Sequence, residues 1–395
     1  MNLSKKALQI TPSVTLEISA KANEMKKNGK SIVSFGVGEP DFKTPEYIVR
    51  GCKEALDKGL TKYTPVAGTV DLKKAIQSKF LRDNGLKYDL DQIVVSTGAK
   101  SSLFHALFAI LNEGDEVIIP KPFWLTYPEI VTICGAKAVY VETKAENGYK
   151  ISESELNAAI TEKTKCLILN SPNNPSGSVY TRDELAAIAK VAVEKDIFVI
   201  SDEVYEKLVF DGSHVSIASI GEEIKRRTIV INAVSKTYAM TGWRIGYLAC
   251  EKTLAKLISG VQSHTTSNAT SFAQYGAMIA LNGGEETVNE MVQIFAERKE
   301  LMVNLLNEVV GISYVKPCGA FYVFVDVSGY YGKSYEGNVI TDSVSFAHAV
   351  LNEGVAVIPG KPFGNDSCIR LSYATSKDDI SVGIDRIKNF LKKLS

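Results

Sequence analysis

The absences in this sequence argue first against large partners. Forty-five Lys and Arg are matched by forty-five Asp and Glu, so no global field draws the chain to nucleic acid or to an anionic membrane. Cysteine is sparse and scattered, at Cys52, Cys134, Cys166, Cys250, Cys318 and Cys368. Without a Cys-x-x-Cys pair or other tight spacing these make neither a zinc site nor a disulfide framework. They read as reduced thiols, which places the chain in the cytoplasm. The four histidines, His105, His214, His264 and His348, stand apart and form no His-Glu-x-x-His, so no metal site is expected. No apolar run approaches the roughly 20 residues a membrane-spanning helix needs, and the two lysines near the amino terminus precede no apolar stretch of the kind a signal peptide carries. Tandem repeats and low-complexity segments are also missing. Small-molecule chemistry is what these exclusions leave.

At 395 residues the chain exceeds the roughly 250 to 300 residues one core can serve, so two domains are expected. Across about 88–250 a short β-branched run repeatedly ends at a polar or Gly cluster and a helix-period stretch follows, the pattern of a mainly parallel sheet. The expected strands are 93–96, 116–119, 138–142, 166–169, 197–201, 228–232 and 245–250. Thr181 with Glu184 three residues on forms a capping box that opens a helix running to about 195. Beyond 284 the pattern changes to strands at 313–315, 321–325 and 369–372 beside helices at 342–352 and 377–393, with an unbroken helical pattern at 284–310 as a spine. The fold class is therefore α/β, a large seven-stranded, mainly parallel sheet flanked by helices plus a smaller α+β unit. The expected boundaries are 46–284 for the large domain and 285–395 for the small one, with 1–45 packing against the latter.

Ligands of an open parallel sheet bind beyond the carboxyl ends of its strands, and four of those loops are chemically loaded. Gly98-Ala99-Lys100 opens a helix whose unpaired N–H groups favour an anion such as phosphate, and Ser235 and Arg244 are placed to complete a cradle. Taken alone, such a turn is more often a plain strand-to-helix connection. Lys236 lies among hydroxyls and an arginine after an apolar strand; surface solvation is the ordinary account of a lysine, but one desolvated near cations becomes a nucleophile. Asp202 follows another apolar strand and needs a partner or an N-cap role to offset burial. Tyr205, Asn174 and Trp124 read equally as site residues or as turn and core residues.

As a set, Ser235-Lys236-Thr237-Tyr238 with Gly242-Trp243-Arg244-Ile245-Gly246, Asn173-Asn174-Pro175-Ser176-Gly177, Asp202-Glu203-Val204-Tyr205 and Ile369-Arg370-Leu371-Ser372-Tyr373 resemble the signature blocks of the class I/II, fold type I aminotransferases, in register from about Pro12 to the last helix. The resemblance implies pyridoxal 5′-phosphate as cofactor, with Lys236 as its Schiff-base lysine and proton shuttle. It implies further that Asp202 holds the pyridine nitrogen, Tyr205 and Asn174 hold the ring oxygen, and Trp124 stacks on the ring. Gly98, Ala99, Lys100, Ser235 and Arg244 would surround the phosphate. Tyr63 would reach the phosphate of a second subunit, making a homodimer part of the site. Arg370 would clamp the substrate α-carboxylate, helped by the backbone at Gly38.

Among these enzymes the chain is most similar to bacterial aspartate aminotransferases in which the phosphate-loop lysine, here Lys100, and hydroxyls at Ser13 and Thr15 meet the acidic side chain. L-Aspartate and 2-oxoglutarate are therefore the expected substrates. The alternatives are prephenate or an aromatic or neutral amino acid as partner, a β-lyase using the same lysine, and, less favoured, a non-enzymatic regulator. Lys121 and Phe123 depart from the small residue and tyrosine more usual there, a change that bears on the pocket rim. Gly36-Val37-Gly38 is no dinucleotide fingerprint because Pro40 blocks the helix that would receive the phosphates.

Overall fold

A computed structural model describes residues 3–10 and 14–395. Fifteen strands are named here: β1 Val33–Ser34, β2 Ile93–Ser96, β3 Glu116–Pro120, β4 Lys137–Val141, β5 Thr164–Asn170, β6 Phe198–Asp202, β7 Thr228–Ala233, β8 Gly246–Ala249, β9 Ser313–Tyr314, β10 Tyr322–Asp326, β11 Ser334–Tyr335, β12 Asn338–Val339, β13 Val355–Ala356, β14 Ile358–Pro359 and β15 Cys368–Ser372. All seven strands expected between 93 and 250 form, and they join one sheet in the order β2-β8-β7-β6-β5-β3-β4. β8 alone runs against the other six, antiparallel to β2 and β7. Alternation sends Ile93 and Val95 of β2 into one core and Val94 into another on the opposite face. A sheet covered on both sides explains why its strands read as continuous apolar runs, each buried aliphatic side chain contributing roughly 1.5 to 3 kcal/mol.

Turn chemistry is as the sequence implies. Thr181 accepts from the Glu184 N–H and Glu184 reaches back to cap its own helix, Arg182–Glu194. Gly98 takes φ 80° ahead of the helix Ala99–Ile110, a backbone conformation that L side chains enter only with strain.

The second sheet is antiparallel, in the order β14-β15-β10-β9. Its core gathers Phe324, Phe346, Ile384 and Phe390 together with Val33 and Phe35 from the N-terminal segment, and β1 pairs in parallel with β13 through Val33 to Val355. The helix Glu286–Asn307 serves both cores: Val288 packs with the helices over the large sheet and Met291 and Phe295 with the second sheet. Four strands here, β11 to β14, were not expected; each has two residues, too few to show a period.

The loop after β5 is pinned against this second sheet. Gly177 sits at φ 72°, where an added Cβ would lie 2.5 Å from Pro317 and 2.9 Å from the Tyr322 carbonyl. Gly177→Ala is expected to cost about 3 kcal/mol from overpacking and backbone strain, seen as a fall of roughly 4 °C in the apparent melting temperature of a chain this size. An unchanged melting temperature would show that the loop relaxes freely.

Candidate active site

Beyond the carboxyl ends of β5, β6 and β7 lies a cavity of about 1000 Å³ whose lining includes Lys236, Asp202, Tyr205, Asn174, Arg370 and Trp124. Asp202 is the last residue of β6 rather than the first after it, and no helix follows for it to cap. Its buried carboxylate instead accepts from the Tyr127 hydroxyl at 2.7 Å and from the Val204 N–H at 3.3 Å. Burial pushes the Asp202 carboxyl up to about 6, against the pull of the Tyr127 hydrogen bond, the Val204 amide and Lys236.

Lys236 stands on the short helix Val234–Thr237 directly after β7. Its ammonium donates to the Gly38 carbonyl at 2.6 Å, across the junction with the N-terminal segment. Desolvation brings the amine down to about 8, with the Arg370 and Arg244 guanidinia acting the same way and Glu39 and Asp202 opposing them.

Two cations frame this amine. Arg370, buried on β15, donates to Asn174 Oδ1 and the Gly36 carbonyl, both at 3.1 Å, and lies 4.4 Å from the Tyr322 ring centre. Its Nε has no partner, and no carboxylate among the described residues pairs with it. Arg244, at φ 56°, donates to the Thr241 carbonyl at 2.8 Å and crosses the start of the helix Ala99–Ile110. A Cβ on Gly98 would fall 2.4 Å from its Nη2, and one on Gly246 would fall 2.2 Å from the Ala99 nitrogen. The two glycines therefore make room for a guanidinium beside unpaired helix N–H groups, a donor set suited to a phosphate.

Ala99, Lys100, Ser235, Gly38 and Arg244 also line the cavity, whereas Gly98 does not. The Lys100 amine lies 5.0 Å from the Trp124 ring centre, and burial followed by Arg244 lowers its proton affinity. Tyr205 meets the Tyr322 hydroxyl at 3.1 Å. Tyr63 is 91% exposed and lines no part of this cavity. Ser13 lies outside the described residues, and Thr15 is described only as backbone of the helix Val14–Lys27.

Some findings differ from the sequence reading. Lys121 and Phe123 are not among the residues that line the cavity: Lys121 pairs with Glu142, and Phe123 stacks on Tyr140 with ring centres 5.2 Å apart. His214, isolated in sequence, comes within 3.1 Å of Glu203 and joins Glu206 in a buried cluster. Lys79 and Asn84 engage Glu206, while Ser201 and Ser216 donate to Glu203. Tyr127, Tyr322 and Asn170 went unnoticed in the sequence. Asn170 donates to the Asp202 carbonyl at 3.0 Å and accepts from the Asn174 N–H at 2.9 Å. Only Tyr127 carried a signal, three residues beyond Trp124.

Residues 30–387 match the family described as aminotransferase class I and II, and the chain belongs to that family; it is an aminotransferase. It is 46% identical to the aspartate aminotransferase of Bacillus subtilis (strain 168) over 397 residues, covering 100% of both chains. Identity to the probable aspartate/prephenate aminotransferase of Aquifex aeolicus (strain VF5) is 45%, over 99% of each. The crystal structure of the Rhizobium meliloti aspartate aminotransferase superposes with a TM-score of 0.96 at 41% identity, covering 100% of both.

A desolvated amine makes a direct prediction. Acetylation of Lys236 in the cofactor-free protein, followed by mass spectrometry, should reach half its limiting rate near pH 8, where the amine loses its proton. Half-reaction near pH 10.4, the ordinary lysine value, would mean the cavity does not desolvate it.

Proposed function

We propose that this chain is a pyridoxal-phosphate-dependent aminotransferase that exchanges nitrogen between L-aspartate and 2-oxoglutarate, giving oxaloacetate and L-glutamate, and that it works as a cytoplasmic homodimer. One observation carries this: an amine held near 8 shares a cavity with two guanidinia that no carboxylate among the described residues neutralises. Buried Arg370 calls for an anion and solvent-exposed Arg244 offers a place for a second; an α-carboxylate at the first and a phosphate at the second satisfy both.

The side chains fit the cofactor. When bound, pyridoxal phosphate supplies an aldehyde that condenses with amines and a ring that accepts the electrons released at the substrate's α-carbon. Arg244, Ser235 and the amides of Ala99 and Lys100 bind the phosphate, Gly98 completing the turn around it with its own N–H donating to the Ser96 carbonyl, and Tyr63, supplied across the dimer interface, reaches the phosphate of the neighbouring subunit. Asp202, ionised above about pH 6, keeps a proton on the ring nitrogen. Asn174 and Tyr205 hold the ring oxygen, and Trp124 covers the ring face. Arg370 receives the α-carboxylate through its fork, helped by the backbone at Gly38. Lys236 Nζ moves a proton to and from the substrate's α-carbon. A neutral medium suits both groups, because Asp202 is then ionised and part of the Lys236 population is uncharged.

For the distal carboxylate, Lys100 offers a cation on the cavity wall, with Ser13 and Thr15 as the expected hydroxyls. Prephenate is the second substrate reading, favoured by the Aquifex aeolicus relative. The smaller unit, proposed as 285–395 with 1–45 packed on it, carries Arg370 and Gly38 against the larger unit, proposed as 46–284.

The visible spectrum of the purified, cofactor-loaded protein checks the proposal. L-Aspartate should bleach the visible band and 2-oxoglutarate should restore it; bleaching by prephenate-pathway amino acids alone would overturn the substrate, and release of ammonia and pyruvate from an amino acid carrying a leaving group on its β-carbon would make the enzyme a β-lyase. Lys236→Ala should fold normally yet lose turnover roughly 10,000-fold. Lys100→Met should lower kcat/KM for aspartate about 30-fold more than for alanine; equal losses would remove Lys100 from side-chain recognition.

A further inference from the structure

Tyr127 touches Asp202 yet has no task in the proposed function. It lies on the helix Thr126–Ile133, one turn beyond Trp124, with the two rings edge-on at 5.5 Å and 88°. Only 2% of Tyr127 is exposed, so the phenol that donates to Asp202 Oδ2 at 2.7 Å does so out of water, where a carboxylate has few other ways to be stabilised. A phenylalanine would fill the same space and donate nothing.

We propose that Tyr127 is a positioning residue that keeps Asp202 ionised and oriented, so that Asp202 can hold a protonated pyridine nitrogen; this rests on the pyridoxal-phosphate reading. The other groups facing Asp202 do not replace it. The Val204 N–H reaches Oδ1 at the longer distance of 3.3 Å. Asn170 binds the Asp202 carbonyl rather than its carboxylate. The Glu203 carboxylate, itself held by His214, Ser201 and Ser216, pushes Asp202 towards the protonated form, as burial does. Lys236 favours the ionised form, but its own positive charge is diminished by desolvation, and Tyr205 is engaged with Tyr322. Tyr127 is the closest donor to the carboxylate itself.

The test measures the pyridoxal phosphate dissociation constant of the apoprotein by fluorescence quenching across the pH range from about 5 to about 9. In the wild type, affinity should fall as pH drops through about 6, because a protonated Asp202 cannot stabilise a protonated ring nitrogen. Tyr127→Phe should move that midpoint upward by roughly one pH unit, the size expected for losing one charge-assisted hydrogen bond, and should lower kcat with KM for the amino acid within about twofold. In the Asp202→Asn background, Tyr127→Phe should change the cofactor's affinity no further. Tyr127→3-fluorotyrosine, which keeps the packing and strengthens the donor, should move the midpoint downward, a result that stands even if Tyr127→Phe does not fold. An unmoved midpoint, or the same affinity loss in the Asp202→Asn background, overturns the inference. A wild type that binds no pyridoxal phosphate, or binds it indifferently to Asp202→Asn, overturns the proposed function instead.

Discussion

Removal of charge from water is the constraint on which the rest of this structure depends. At the carboxyl end of one sheet an amine, a carboxylate and two guanidinia face a common cavity. Asp202, Arg370 and the Lys236 amine are expensive to desolvate alone, whereas Arg244 keeps its contact with solvent. Together they oppose and support one another in a definite pattern, in which burial, helped by the guanidinia, lowers the proton affinity of Lys236 while burial raises that of Asp202. Both groups are thereby displaced from their ordinary values towards neutrality, as acid–base chemistry near pH 7 requires.

The fold produces this arrangement by junction rather than by any single element. Lys236 and Asp202 descend from adjacent parallel strands, β7 and β6. Arg370 comes from β15 of the antiparallel sheet, and Gly38 from the segment whose β1 pairs with β13 in a separate two-stranded sheet of the same core. The two halves meet through Arg370 on Asn174 and Lys236 on Gly38. Asp41, three residues beyond Gly38, receives a two-pronged contact from Arg298 at 2.7 and 2.9 Å, which ties this loop to the helix shared by both cores. Any relative movement of the two sheets is thus felt at the Lys236 amine.

Much of this was legible in the sequence, and what escaped has physical reasons. The strands of the large sheet are buried on both faces and so announce themselves as apolar runs; their last residues then mark the site. Two-residue strands such as β13 and β14 have no period to read. Lys236, Asp202 and Arg370 were found because their blocks resemble a family's, while their packing explains what they do. Tyr127 and Tyr322 are aromatic residues in apolar stretches, and a buried hydroxyl cannot be told from a packing ring until its partner is placed by the fold. The contact between His214 and Glu203 likewise joins positions that spacing alone does not connect. Lys121 and Phe123 drew notice as departures, yet their side chains are taken up by Glu142 and Tyr140.

The central claim is that the Lys236 amine, and no other, bonds to the cofactor's aldehyde. Borohydride reduction of the holoprotein followed by peptide mass mapping tests it most directly. The account predicts a pyridoxyl group on the peptide containing Lys236 in stoichiometric yield. Label on Lys100 or another lysine, or on none, would contradict it.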